Sequence, residues 1–203
     1  MSDIITFDTE KVAANYAVPV KAETFKLVDE KHPILKQKIQ EFDFENPPVD
    51  PNKFASSLTE TCKQHNGFGL SANQCGFSYR VFVMGSAEEY VAFFNPKIIG
   101  QTDNESIITE GCLSFPMLAL KISRPNLIDV SYQDYTGKEH NVTLSGISAH
   151  VFQHELDHLN GILYTERAKP MSLKYGTKKR MKLDKLMNRY HNANDKISNV
   201  LNK

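Results

Sequence analysis

One stretch of nine residues constrains what this chain can fold into more than any other. Residues 153–161 read Gln-His-Glu-Leu-Asp-His-Leu-Asn-Gly. On an α-helix, His154 and His158 lie one turn apart on the same face, so both imidazoles can bind one divalent ion while Glu155 flanks its open side. Gly161 is placed to end the helix as its C′ residue. The stretch therefore predicts a catalytic metal site on a helix that spans residues 146–160.

The apolar residues around this stretch agree with a helix. Ile147 and Val151 continue the face that carries the two histidines. Phe152, Leu156 and Leu159 form a second face that is suited to the core. The alternative is an ordinary buried helix that carries two histidines by chance, and the motif taken alone leaves that alternative open.

Two histidines are too few for a catalytic metal site, because such a site usually has three protein ligands and leaves the fourth position to water. A metalloprotease of the His-x-x-Gly-x-x-His type would supply a third histidine downstream, but Tyr164 stands at that position. Glu166 is the one carboxylate between the motif and Asp184, and it lies very close to the end of the helix. We therefore expect the third ligand upstream.

The composition is that of one globular domain. The chain has 203 residues, of which 40% are apolar, and this is enough to bury a substantial core. No apolar run reaches the length of a membrane span, and the first 25 residues carry more acid than base, unlike signal and transit peptides. These features predict a soluble protein of the cytoplasm that does not bind membranes.

The cysteines do not predict a disulfide framework, because the three of them, Cys62, Cys75 and Cys112, are odd in number and scattered. An important thiol among them is better explained as a metal ligand or a nucleophile. Cys62 falls on the inner face of a predicted helix over residues 52–65, so we assign it to the core.

The net charge of zero hides a strong asymmetry along the chain. Residues 1–166 contain 13 Lys or Arg and 22 Asp or Glu, whereas residues 167–203 contain 11 and 2, so the two charges are −9 and +9. The tail is thus a basic appendage on an acidic body. Residues 1–26 have no clear periodicity, so we divide the chain into an N-terminal extension (1–26), a catalytic body (27–166) and a basic tail (167–203). Residues 171–190 of the tail have the pattern of an amphipathic helix.

The middle of the chain has the pattern of β-strands, with runs rich in Val, Ile, Phe and Tyr between turn residues such as Asn95-Pro96. The predicted strands cover residues 79–84, 90–94, 97–99, 106–110, 117–123, 127–132 and 140–144. Together with the helices, this pattern predicts an α+β fold. We expect a mostly antiparallel β-sheet packed around the central metal-binding helix, followed by a C-terminal basic helix.

Two further motifs lie upstream of the helix. Residues 67–74 (Gly-Phe-Gly-Leu-Ser-Ala-Asn-Gln) form a glycine-rich turn that allows close backbone approach, and Gln74 can donate an amide N–H. Residues 110–114 read Glu-Gly-Cys-Leu-Ser. A Cys112 thiolate would complete a Cys-His-His metal set, but a free cysteine in a sheet is also a common small buried side chain. The spacing in the sequence does not choose between these interpretations.

The three motifs together resemble the signature motifs of peptide deformylases, in the order found in that family. They are Gly67-x-Gly69-Leu70-x-Ala72-x-Gln74, Glu110-Gly111-Cys112-Leu113-Ser114 and Gln153-His154-Glu155-x-x-His158-Leu159-x-Gly161. The resemblance covers about residues 27–166. One departure is Ser71, where the family usually has Ala, and we expect this hydroxyl to affect only local packing.

The resemblance implies a metal-dependent hydrolase. Such an enzyme removes the formyl group from the N-terminal formylmethionine of nascent polypeptides and releases formate. The implied ligands of one divalent ion are Cys112, His154 and His158. The implied physiological metal is Fe²⁺, and Zn²⁺, Ni²⁺ or Co²⁺ could occupy the same ligands. The ion would lower the pKa of a water molecule that attacks the formyl carbon.

The resemblance also implies roles for the residues around the ion. Glu155 would act as general base and acid, and the oxyanion would be held by the Gln74 side-chain amide and the Leu113 backbone N–H. Glu110 and Arg124 would form an ion pair that holds the Cys112 loop. The expected substrate contacts, including an apolar pocket for the methionine side chain, are Phe68, Gly69, Ile108, Gly111, Ile147 and Val151.

The tail has two interpretations. It is a solvated helix packed on the body, or it docks on the ribosome through phosphates, as the C-terminal helix does in some members of the family. Two other functions are alternatives for the whole chain: a metalloprotease, and a structural metal site with an RNA-binding tail. The resemblance implies a bacterial-type cytosol, with an organelle or a virus-infected cell as alternatives.

Overall fold

The computed structural model describes residues 22–86 and 89–201, with side chains as far as residue 191. Its strands are β1 (Gly69–Ser71), β2 (Val81–Ser86), β3 (Glu89–Gln101), β4 (Glu105–Cys112), β5 (Phe115–Pro125), β6 (Leu127–Gln133) and β7 (Glu139–Ser145). Its α-helices are α1 (Pro51–Gln64), α2 (Gly146–Leu159), α3 (Tyr164–Arg167) and α4 (Pro170–Leu201). Two short 3-10 helices span Pro33–Lys36 and Ala72–Cys75. The α+β class predicted from the sequence is confirmed.

The strands form two antiparallel sheets where the sequence predicted one sheet region. Strands β1, β2, β3, β6 and β7 make a five-stranded sheet in that order. Strands β4 and β5 make a separate hairpin. The metal-binding motif lies on α2, and α2 packs between these two layers.

The prediction of two short strands at 90–94 and 97–99 is wrong. Residues 89–101 form one continuous strand, which pairs first with β2 and then with β6. Asn95 has a left-handed backbone (φ 49°) at a register shift between β3 and β6. Its side chain accepts a hydrogen bond from the Phe42 N–H (2.7 Å) and donates one to the Phe42 carbonyl (2.9 Å). These tertiary contacts hold a bulge at this position, so the chain does not turn.

Strand β2 of the five-stranded sheet is buried on both faces. Successive side chains of a strand point to opposite sides, so β2 contributes to two cores. Phe82 and Met84 of β2 belong to the core that contains α2. Val81 and Val83 belong to the second core, which contains α1. Cys62 is completely buried in that second core, so its assignment to the core is confirmed.

Helix α1 starts where its sequence indicates. Pro51 occupies the first turn, where its missing N–H needs no partner, and the Asp50 carboxylate accepts a hydrogen bond from the Lys53 N–H (2.8 Å). Its apolar face buries Phe54 and Leu58 against the sheet.

Helix α2 buries the face that the sequence assigned to the core. Phe152, Leu156 and Leu159 are buried in one cluster with residues of both the five-stranded sheet and β5. The helix ends at Leu159, and Gly161 has a left-handed backbone (φ 73°), as expected for a C′ residue. A Cβ at residue 161 would lie 2.6 Å from the Lys36 carbonyl oxygen, so glycine is also required for close packing here.

The described part of the predicted N-terminal extension lies along α1. The backbone N–H groups of Glu23 and Phe25 donate to the hydroxyls of Ser57 (3.2 Å) and Thr61 (2.9 Å). Residues 1–21 lie outside the described residues.

The C-terminal helix α4 is longer than the predicted 171–190, and its first half packs directly on β5. A Cβ at Gly176 would lie 2.5 Å from the Leu120 side chain and 3.0 Å from the Ala119 carbonyl oxygen. The Lys121 N–H donates to the Ser172 hydroxyl (2.9 Å). In the part of the chain that the structure describes, no helix is both long and apolar enough to cross a bilayer.

Candidate metal centre and active site

Three potential metal ligands, which we call the metal trio, converge beside α2. Cys112 is the last residue of β4, just after a register shift in the β4–β5 hairpin. His154 and His158 are one turn apart on α2. The ligand atoms of the trio all lie within 4.8 Å of one another, and Cys112 Sγ is 3.1 Å from His158 Nε2. The structure therefore brings together the residues that the resemblance implied as ligands.

The donor chemistry of the trio fits a divalent ion. Burial opposes ionisation of the Cys112 thiol, but the imidazoles of His158 and His154 outweigh it and hold the pKa of this thiol well below its usual value. A thiolate is the form of cysteine that ligates metals. One thiolate and two imidazoles suit Fe²⁺, Zn²⁺, Co²⁺ and Ni²⁺, and three protein ligands leave one tetrahedral position open.

A buried ionic network orients His154. Its Nδ1 is 2.9 Å from Glu110 Oε2, which leaves the other ring nitrogen for the metal trio. Arg124 donates to both oxygens of Glu110, at 2.6 and 3.0 Å, so the two residues form the ion pair that was expected. Arg124 also donates to Asp157 Oδ2 (2.7 Å), and this carboxylate receives a second guanidinium from Arg167 (2.6 Å).

This network keeps Glu110 ionised. Burial raises the pKa of its carboxyl, but hydrogen bonds from His150, His154 and Arg124 outweigh burial and place this pKa well below the usual value. Glu110, Arg124 and Asp157 are all buried. Buried charges thus connect β4 and β5 to α2.

The Glu155 side chain is buried next to the trio and is not part of it. Burial is the main reason that the pKa of its carboxyl is raised above the usual value. Gly69 of β1 passes very close: a Cβ at this position would lie 2.5 Å from Glu155 Oε1. The glycine-rich turn therefore leaves the space that the carboxylate occupies.

The expectation that Ser71 affects only local packing is wrong. Its hydroxyl oxygen lies 2.7 Å from Glu155 Oε2 and 3.0 Å from the Glu155 carbonyl oxygen. Both side chains are buried. The hydroxyl therefore sets the direction of the carboxylate.

Gln74 is held with its amide nitrogen toward the metal trio. Its Oε1 accepts a hydrogen bond from the Ser71 N–H (2.9 Å), and its Nε2 donates to the Ser114 hydroxyl (3.0 Å). The same Nε2 is 3.5 Å from Cys112 Sγ. These contacts fix both ends of the amide, with its nitrogen beside the thiol of the metal trio. Leu113, in the turn after Cys112, lines the same cleft.

A cleft of about 750 Å³ reaches the metal trio, and Cys112 and His154 are part of its lining. Glu155 and Gln74 face it from one side, and Phe68 is half exposed at its rim. Its lining includes every residue that was expected to contact the substrate: Phe68, Gly69, Ile108, Gly111, Ile147 and Val151.

Several residues of the site were missed from the sequence. Asp157 lies within the helix motif, and its position on the helix was the one feature of the sequence that could have predicted its role. Ser114 and His150 reach the site through contacts between distant segments, with Gln74 and Glu110 respectively. Lys179 and Leu183 of α4 line the cleft, although the tail was placed outside the catalytic body.

Comparisons with known proteins agree with this site. The sequence matches the profile of the family described as polypeptide deformylase over residues 24–174. A peptide deformylase from Thermotoga neapolitana is 43% identical over 113 residues, which are 56% of this chain and 69% of that protein. The crystal structure of a peptide deformylase from Thermotoga maritima aligns with a TM-score of 0.67 and 35% identity, over 73% of this chain and 99% of that one.

A second solved structure shows a peptide in a similar protein. It is a class I type b peptide deformylase from Acinetobacter baumannii with Met-Ala-Ser bound. It aligns with a TM-score of 0.68 and 26% identity, over 72% of this chain and 99% of that one. The match to the family profile covers well over half of the sequence. This chain belongs to the peptide deformylase family.

Proposed function

We propose that this chain hydrolyses the formyl amide of N-formylmethionyl peptides at the metal trio and releases formate. Deformylation of nascent peptides is the activity of its family. The observation that carries the proposal is the position of Glu155, whose carboxylate lies in the cleft beside the trio and is held by Ser71. A carboxylate that is close to a metal site without serving as its ligand is free to move protons.

Cys112, His154 and His158 would hold the ion, and we propose Fe²⁺ as the physiological metal, with Zn²⁺, Ni²⁺ and Co²⁺ as alternatives. A bound ion would supply Lewis acidity, which would lower the pKa of a water molecule and favour negative charge on the formyl oxygen. The Glu110–Arg124 pair supports this role, because it fixes the ring of His154 before any ion arrives.

Two proton transfers fall to Glu155. Its carboxylate accepts a proton as water attacks the formyl carbon, and it then delivers this proton to the leaving amine. Burial raises the pKa of Glu155, which makes the carboxylate a stronger base than an exposed one. Because the Ser71 hydroxyl contacts Oε2, the other oxygen, on the side of Gly69, is available to the reacting groups.

Gln74 and Leu113 would stabilise the negative charge that develops on the formyl oxygen. The Gln74 amide is held in place by Ser71 and Ser114, and the N–H that faces the Cys112 thiol at 3.5 Å would turn to the oxyanion. The backbone N–H of Leu113 would supply a second donor from the turn after Cys112. Two fixed donors on the developing oxyanion are the arrangement that lowers the barrier of acyl transfer.

The substrate would lie extended beside β4. One edge of β4 pairs with β5, and among the described strands none pairs with its other edge, so a peptide can add there as a further strand. Ile108 and Gly111 of β4 line the cleft, and Phe68, Ile147 and Val151 provide apolar surface for the methionine side chain. The peptide bound to the Acinetobacter baumannii protein supports a ligand of this kind.

The proposal is tested by formate release. Protein loaded with Ni²⁺ should release one formate for each formyl-Met-Ala-Ser consumed, and metal-free protein should release none. Casein is added in a parallel reaction, because a metalloprotease shares the helix motif. Cleavage of casein without formate release would show that the chain is a protease and would contradict the proposed deformylase activity.

The resident metal should decide how long activity survives in air. We expect activity with Fe²⁺ to decay and activity with Ni²⁺ to persist, because ferrous iron beside an open position reacts with oxygen and the thiolate ligand is itself oxidisable. The measurement is formate release during aerobic incubation, with anaerobic samples as the control for unfolding. Equal lifetimes of the two forms would contradict an iron site with a thiolate ligand.

We further propose that α4 docks on the ribosome, from which formylated peptides emerge, in a bacterial-type cytosol or an organelle. Five of its basic residues are exposed and follow a spacing of three or four, so they lie along one face of the helix. We call this face the outer basic stripe: Lys174, Lys178, Lys182, Lys185 and Arg189. On the opposite face, Gly176 packs against β5 and Leu183 lines the cleft. A stripe of this kind can pair with RNA phosphates.

Replacing all five residues of the outer basic stripe with Gln should weaken ribosome binding by roughly 10² or more at low salt, because each phosphate contact contributes by counterion release. Hydrolysis of formyl-Met-Ala-Ser should be unchanged. This design is sharper than a cut after Lys169, which would also remove Gly176 and Leu183 from the body.

The measurement is co-sedimentation with purified ribosomes over a range of salt concentrations. The matched control replaces five exposed lysines of the body with Gln: Lys31, Lys38, Lys53, Lys121 and Lys138. If the stripe variant co-sediments as well as the unmodified protein, α4 is not the docking element.

A further inference from the structure

The substrate cleft receives two side chains from the C-terminal helix, Lys179 and Leu183. They are four residues apart on α4 and therefore lie on the same side of the helix. Lys179 is the one Lys or Arg among the described residues that line the cleft. The carboxylates in this lining, Glu110 and Glu155, are both buried. Lys179 therefore places a positive charge at the mouth of the cleft, and this charge has no role in the reaction proposed above.

The body holds the helix that carries Lys179 at a fixed place. Gly176 is in contact with β5, where a Cβ would clash with Leu120. One turn further, Arg180 forms a partly buried ion pair with Glu30 (2.8 Å). These contacts lie on either side of Lys179 in the sequence. The lysine backbone is therefore fixed relative to the cleft, and only its side chain has to adjust to a ligand.

The charge of Lys179 is not compensated within the described part of the chain. Its helical neighbours at three and four residues are Tyr175, Gly176, Lys182 and Leu183, none of them acidic. The ion pairs of the described residues do not include it. An ammonium group at the mouth of an otherwise largely apolar cleft favours a carboxylate as its partner.

We propose that Lys179 is a specificity-determining residue that favours formylated peptides with Asp or Glu a few residues after the formylmethionine. This inference rests on the proposed deformylase function. An extended peptide advances about 3.3 Å per residue, so residues beyond the methionine leave the cleft past its rim. Met117 and Leu183 line the cleft together with Lys179, so they provide apolar surface and the lysine provides the charge. The acidic side chain binds as the peptide passes the helix.

The expected effect is on substrate binding. An exposed ion pair contributes little, so the KM of a peptide with Asp at the favoured position should be about two- to five-fold lower than that of the same peptide with Asn. The value of kcat should be the same for both peptides, because the contact is remote from the formyl group. Raising the salt concentration to 0.5 M should remove most of the difference, since salt screens exposed charges.

The test uses Ni²⁺-loaded full-length protein and formyl-Met-Ala-Ala-Ala-Ala-amide, with a single Asp or Asn at each of positions two to five. The C-terminal amide removes the terminal carboxylate, which would itself bind a lysine. The ratio of the KM values for Asn and Asp should exceed one for at least one position. Lys179→Gln should bring this ratio to one, and Lys179→Glu should invert it.

The matched control is Lys121→Gln, an exposed lysine of β5 that lies outside the cleft lining. It should keep the ratio of the unmodified protein. The inference is overturned if the KM ratio of the Asn and Asp peptides is the same in the unmodified protein and in Lys179→Gln at all four positions. It is also overturned if Lys121→Gln changes this ratio as much as Lys179→Gln does. If the protein hydrolyses the Asp and Asn peptides with equal KM values, this inference fails and the proposed function stands. If no formylated peptide is hydrolysed, the proposed function fails with it.

Discussion

Replacing Glu155 with Gln should lower kcat for formyl-Met-Ala-Ser by roughly 10² or more, with little change in metal content. The amide keeps the size of the side chain and can still hydrogen-bond to the Ser71 hydroxyl, but it cannot accept and deliver a proton. The metal trio is untouched, because the Glu155 carboxylate does not belong to it. The measurement combines formate release with metal analysis of the same sample.

Two controls make this result interpretable. Glu60→Gln changes an exposed glutamate of α1 in the same way and should keep full activity. Ser71→Ala removes only the hydroxyl that orients the carboxylate, so it should lower kcat less than Glu155→Gln does. Near-normal turnover of Glu155→Gln with full metal occupancy would contradict a role of Glu155 in proton transfer. If Glu155→Gln loses its metal, this would instead indicate that Glu155 is a metal ligand.

Replacing Arg124 with Met should lower the free energy of unfolding by about 3–5 kcal/mol, because it leaves two buried carboxylates without the guanidinium that pairs with them. These are Glu110, which loses two hydrogen bonds, and Asp157, which loses one and keeps Arg167. Metal affinity should fall by about 10- to 100-fold as well, because Glu110 orients His154. Urea unfolding at pH 7 and a fixed Ni²⁺ concentration measures the first effect, and competition with a chelator measures the second.

Arg124→Lys separates charge from geometry, since lysine keeps the charge but lacks the fork that contacts both oxygens of Glu110. We expect an intermediate loss of stability. Lys121→Met, on the exposed side of the same strand, should change stability by less than about 0.5 kcal/mol. A loss in Arg124→Met as small as that of Lys121→Met would show that the buried network does not stabilise the fold.

The stability difference between the unmodified protein and Arg124→Met should also depend on pH. The network lowers the pKa of Glu110 well below its unfolded value of about 4.3, so its contribution is fully present above about pH 5. This contribution is lost as the pH falls through the folded pKa. The two unfolding free energies should therefore converge as the pH is lowered from 5 toward 3, and a constant difference over this range would contradict the assignment.

The sequence was informative wherever the structure depends on residues that are close along the chain. The spacing of His154 and His158 is set by the helical period alone, and so is the face that buries Phe152 and Leu156. Helix α1 could likewise be placed from Pro51 and from its apolar stripe. These features need no knowledge of any other segment, because the backbone geometry of a helix determines them.

Contacts between distant segments could not be predicted in the same way. Cys112 and His158 are 46 residues apart, and their meeting depends on how the β4–β5 hairpin packs against α2. The family resemblance supplied this ligand set, since the spacing by itself left Cys112 open between ligand and core. The prediction that the chain turns at Asn95 was wrong for the same reason. The Asn95 side chain is hydrogen-bonded to the backbone of Phe42, 53 residues away.

The sequence by itself thus determined the α+β class and the helix that carries His154 and His158, because these follow from local periodicity. Only the tertiary structure placed Ser71 against Glu155, across a separation of 84 residues, and Lys179 at the mouth of the cleft. Both placements result from close packing: β1 runs against α2, and Gly176 lets α4 touch β5. Steric fit between surfaces far apart in the chain has no local signature, and it decides which side chains reach the substrate.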